Sequence, residues 1–66
     1  MIKVMTVENA LELENHFISA SKSLKCAYRN MKSTGGFEST CKETADAALD
    51  ADAAASQMRQ WITDNT

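Results

Sequence analysis

Apolar residues along this chain fall into two runs of helical spacing separated by a single break. From Val7 to about Ser33, the residues Ala10, Leu13, Phe17, Ala20, Leu24, Ala27 and Met31 step by three and four, which lines up one face of a helix. A second stripe obeys the same rule: Cys41, Thr44, Ala48, Ala51, Ala55, Met58 and Ile62. The only two glycines, Gly35 and Gly36, lie between the runs, and proline is absent. The pattern predicts helix 1 over about 7–33, a turn over about 34–39 and helix 2 over about 40–64. Thr6 is placed to cap the first helix, with Glu8 in its first turn, and Thr40 with Glu43 reads as a capping box for the second. Lys25, Arg29 and Lys32 complement the dipole near the end of helix 1. Met1–Met5, with Ile2 and Val4 alternating, reads as a short extended lead-in.

Two long helices joined by a short turn must run antiparallel as neighbours. Centring the turn near Gly36 sets Leu24 opposite Ala48, Phe17 opposite Ala55 and Ala10 opposite Ile62. Large residues then meet small ones in successive layers, which brings two helices together without voids. Apolar residues are left over on both flanks: Val7, Leu11 and Ile18 on helix 1, and Ala47, Ala54 and Trp61 on helix 2. A hairpin cannot bury faces that wide, and unburied apolar faces mark interfaces. The expected fold is therefore all-α: one domain over residues 1–66, an antiparallel two-helix hairpin that pairs into a homodimeric four-helix bundle. Length supports the pairing, because a chain of this size buries only about 60% of the surface its unfolded form exposes. A foreign partner on the same flanks is the competing expectation. Trp61 serves either as an anchor in the dimer core or as a hot spot for that partner.

Composition narrows the chemistry. Two cysteines and one histidine are too few for a structural zinc site. Cys41 falls on the apolar stripe while Cys26 points away from it, so a disulfide between them is not expected. Free thiols and the lack of a secretory leader pattern point to the cytoplasm. No run of about 20 apolar residues exists to span a membrane. A formal charge of -2 and a pI near 5.2 argue against general coating of nucleic acid. Nucleotide-binding loops and nucleophile elbows are missing; Gly35-Gly36 has no lysine–serine pair after it.

Charge patterning leaves one feature with binding potential. Lys22, Lys25, Arg29 and Lys32 form a basic stripe on helix 1, which Lys42 extends past the turn, and Tyr28 lies within it. Cations with an aromatic among them suit phosphate and stacked bases. The plainer reading is charge balance against Glu43, Asp46 and Asp50 on helix 2, with Lys22 facing Asp50 and Arg29 facing Glu43. Arg59 falls opposite Glu14 and reads as an ion pair. His16 stands without a titratable partner, which general acid–base chemistry requires. Cys26, though near Lys22 and Arg29, has no base beside it.

No catalytic, cofactor or metal residue is therefore expected. The chain reads as a non-enzymatic interaction protein: a dimer that binds and modulates a partner protein as an inhibitor or adaptor. Very small acidic helical proteins of this kind are frequent among phage and plasmid accessory products. The alternative is binding of RNA, DNA or a nucleotide through the basic stripe.

Overall fold

Thr6 opens the first helix as its spacing predicts. Its backbone is extended and its hydroxyl accepts the Asn9 N–H at 3.1 Å, satisfying one of the donors that a helix start leaves unpaired. The structure, a computed structural model, describes residues 5–66, so the lead-in expected over Met1–Met5 lies outside the described residues apart from Met5. Helix α1 runs Val7–Thr34 and helix α2 runs Glu38–Asp64. The turn is shorter than expected. Gly35 and Gly36 both take positive φ, 80° and 84°, and reverse the chain without cost from a side chain. The Gly35 N–H closes α1 on the Met31 carbonyl at 2.9 Å.

The start of α2 corrects the sequence reading. No capping box forms at Thr40. The helix begins two residues earlier, behind Phe37, which has no side-chain cap bond. Two glycines complete the reversal by Phe37, so the helix resumes at once and Thr40 already lies inside it. The Thr40 carbonyl accepts from the Thr44 hydroxyl at 2.8 Å. Glu38, in the first turn, supplies the charge favoured at a helix start.

The two helices pack side by side into a slab of 45 × 23 × 14 Å. Its thinnest dimension is little more than one helix diameter. The buried seam is Ala10, Glu14 and Ser21 on α1 against Ala48, Ala51, Ala55 and Ile62 on α2. Phe17, Leu24, Tyr28 and Met31 extend it half-buried. On α2 the expected stripe holds. On α1 it is displaced: Ala20 and Ala27 are exposed and Leu13 is half-exposed, while Glu14, Ser21 and Tyr28 take the inward places. Each exchange steps one residue, about 100° around the helix, and together they turn the mean direction of the contact face by about 45°. The stripe of α1 thus points obliquely, partly at α2 and partly at open space beside it.

Polar residues occupy the rotated seam and set its register. The Arg59 guanidinium donates to both Glu14 carboxylate oxygens, at 2.7 and 2.8 Å, with Glu14 only 8% exposed. Seven residues further along α1, the buried Ser21 hydroxyl donates to Asp52 at 2.5 Å. A slip of the helices would strand a buried carboxylate and a buried hydroxyl, and each carries a desolvation cost when unpaired. Among the described residues, no buried side-chain polar atom lacks a partner. Arg59→Ala is expected to destabilise the fold by about 1–2 kcal/mol, because a nearly buried carboxylate loses its bidentate partner while the arginine itself stays half in water. Replacing both members, Glu14→Leu with Arg59→Met, should recover most of that loss. Urea unfolding of the three proteins checks both expectations.

Candidate interaction surfaces

Helical phase divides the slab into two broad sides. The first carries Glu14, Asp52 and Arg59 along the seam, and Ile18 lines a shallow groove with them and Ser56. On α2, Ala47, Ala54 and Trp61 lie at seven-residue intervals, about 120–180° around the helix from Asp52 and Arg59 by the 100° step. They fall on the second side. The apolar flanks singled out from the sequence are therefore not one patch. Leu11 and Ile18, 39% and 50% exposed, sit on the ion-paired side, whereas Ala47, Ala54 and Trp61 are half-buried on the other. Val7 is half-buried beside Leu11 in phase.

The second side is the more apolar one. Here α1 contributes Leu13, Ala20, Leu24 and Ala27, and α2 contributes Ala47, Ala54, Met58 and Trp61, every one of them exposed or half-exposed. Of these, Leu13, Ala20 and Ala27 are the ones left open by the rotation of the α1 contact face. Among the large aliphatic and aromatic side chains of the described residues, only Ile62 is buried. One layer of helices offers no second layer to cover the rest.

Cations gather on the ion-paired side of α1, in phase with Leu11 and Ile18. Lys22, Lys25, Arg29 and Lys32 are all exposed. The pairings expected with Asp50 and Glu43 are not made. The one ion pair in the stripe is Lys25 with Asp52, at 3.1 Å. Rotation of the seam explains the exchange: Asp52 is turned toward α1, while Glu43 and Asp50 lie beyond Ala47 and Ala54 on the opposite side. Lys32 instead sits over the Tyr28 ring, 5.5 Å from its centroid, a cation–π arrangement. Tyr28 also lines an open groove of about 510 Å³ beside the turn, together with Phe37, Lys42, Glu38 and Asp46. Phe37, 53% exposed, was not among the residues singled out from the sequence.

Comparison with known protein families, curated proteins and solved structures finds no match. Function must therefore be argued from these surfaces. His16 is exposed on α1, Cys26 is exposed and Cys41 half-buried, both thiols free. Among the described residues, no group of three or more His, Cys, Asp or Glu side chains is arranged to hold a metal ion. Among the described residues, no helix is long and apolar enough to cross a membrane.

The Ser21–Asp52–Lys25 cluster is the feature that the sequence reading missed. A signal existed: Ser21 and Asp52 each stand seven residues from Glu14 and Arg59, so the pair repeats the first one a heptad along. The Ser21 hydrogen bond, and then Lys25, hold the Asp52 carboxyl below its ordinary value. A carboxyl depressed in the folded state stabilises the fold above its unfolded pKa and loses that contribution as pH falls through its folded value. Asp52→Asn should therefore be less stable than the parent at pH 6, with the difference shrinking as pH falls below the ordinary carboxyl value of 3.8. Urea melts across this range would show it; a gap that persists at low pH would assign the loss to packing.

Proposed function

We propose that this is a non-enzymatic interaction protein whose apolar side pairs with a second copy to form a four-helix bundle, and that the dimer binds and modulates a partner protein. The observation that carries the reading is the single helical layer with its large side chains half in water. Leu13, Phe17, Leu24, Met58 and Trp61 all stay partly exposed, and alanines form most of the buried core. A second copy laid on that side would add the missing layer and enclose these residues from above. The oblique stripe of α1 supports the same reading. In a four-helix bundle each helix aims its stripe between two neighbours, and only one of them is present within the hairpin. A symmetric partner also needs no chemistry beyond what the face already has.

Sedimentation equilibrium tests the pairing. The chain is expected to sediment at twice its 7.2 kDa mass at about 100 µM and to dissociate on dilution. Leu24→Lys, which sets a charge in the covered layer, should weaken association at least tenfold and lower the helix content, because a lone hairpin is marginal. A stable, fully helical 7.2 kDa species would sink the homodimer. For partner binding, Trp61→Ala separates two cases. Loss of the dimer would place Trp61 in the homotypic interface, and an intact dimer that loses its host partner would place it in the partner's.

A further inference from the structure

We infer that the outer face of α1, from Ser19 to Lys32, is a binding surface for the phosphate backbone of nucleic acid. Its four cations lie on the side of α1 away from Leu13, Ala20, Leu24 and Ala27, so they are open whether or not the chain pairs. From Asn15 to Phe37 the chain carries four cations, Lys22, Lys25, Arg29 and Lys32, and no carboxylate. The structure leaves this charge largely unspent. Among the described residues the only ion pairs are Lys25–Asp52 and Arg59–Glu14, so Lys22, Arg29 and Lys32 carry no acidic partner. Like charges spaced along one helix face are mildly destabilising, and here no opposing stripe relieves them.

Neutral hydrogen-bonding groups flank one of these cations: Lys22 lines a shallow groove along α1 with Ser19, Ser23, Cys26, Ala27 and Asn30. Lysine, arginine, serine and asparagine are the side chains that contact phosphate and sugar oxygens. Lys22 and Lys32 are about 15 Å apart along the axis, enough to follow several successive phosphates. Lys32 is held against Tyr28, and the exposed Phe37 stands across the turn groove from them, which places aromatic faces at one end of the cationic track. The overall charge of -2 does not oppose this. Glu8, Glu12 and Glu14 lie toward the far end of α1, and Glu43 and Asp50 lie beyond Ala47 and Ala54 on the opposite side. Glu38 and Asp46 share the turn groove with Lys32 and Lys42, so the part of the track clear of these carboxylates is the one from Lys22 to Arg29. An acidic protein could use the same charge, but the serines, asparagine and aromatics around it are phosphate and base chemistry.

Fluorescence anisotropy with a labelled 20-nucleotide RNA and a labelled 20-base-pair DNA duplex tests the inference and separates the two sources of phosphate. With three free cations engaged, raising salt from 50 to 200 mM should weaken binding about 20-fold for the single strand and about 40-fold for the duplex. Lys22→Gln with Arg29→Gln should reduce affinity for the preferred nucleic acid at least tenfold while circular dichroism stays unchanged. Gln57→Ala, at an exposed position of α2 outside the stripe and its grooves, should change it less than twofold. The inference is overturned if neither probe binds at 50 mM salt, if the double variant binds like the parent, or if polyglutamate binds as tightly as either nucleic acid. The last result would assign the stripe to an acidic protein.

Discussion

Two helices lying side by side form a single layer, and that geometry governs almost everything else in this protein. A layer 14 Å thick has one internal boundary, the line where α1 meets α2. Side chains at that line must be small if the helices are to approach, and α2 supplies Ala48, Ala51 and Ala55 there. Side chains too large for the line are driven to its edges, where they remain half in water. Leu24, Phe17, Met58 and Trp61 are in that position because no residue stands above them to cover them.

Small side chains alone would leave the register loose. Alanine against alanine packs nearly as well after a slip, so the polar pairs carry the specificity. Glu14 with Arg59 and Ser21 with Asp52 repeat one heptad apart on both helices and can be satisfied together in one alignment only. Their placement also divides the slab chemically. With the polar seam on one side, the apolar residues of both helices collect on the other, and the cations of α1 continue the polar side outward from the seam. The three surfaces follow from one choice of which α1 face meets α2.

That choice separates the two roles proposed for the chain. The apolar side suits a second helical layer, whereas the cations of α1 suit a polyanion, and the two surfaces meet only at Ala27. Binding on both at once is therefore compatible with the fold, and a dimer would present two basic surfaces. Multivalent presentation of a weak electrostatic site is a general way to raise its strength without new contacts.

Much of this was legible in the residues alone. Spacing of the apolar positions, Thr6 before Val7 and the Gly35-Gly36 break were sufficient for two helices, their antiparallel arrangement and an alignment good to about one residue, because each depends on local geometry. The same reading anticipated Arg59 opposite Glu14. The rotation of α1 was not legible. An a/d stripe marks where a helix is apolar, and it does not say how its neighbours share that stripe. Only the packed pair shows that α2 takes the flank bearing Glu14 and Ser21, leaving Leu13, Ala20 and Ala27 open. The partner of Lys25 follows from the same fact, since Asp52 rather than Asp50 comes within reach. Helical period is a property of the chain, but the azimuth at which two helices meet is settled by which side chains can be buried together.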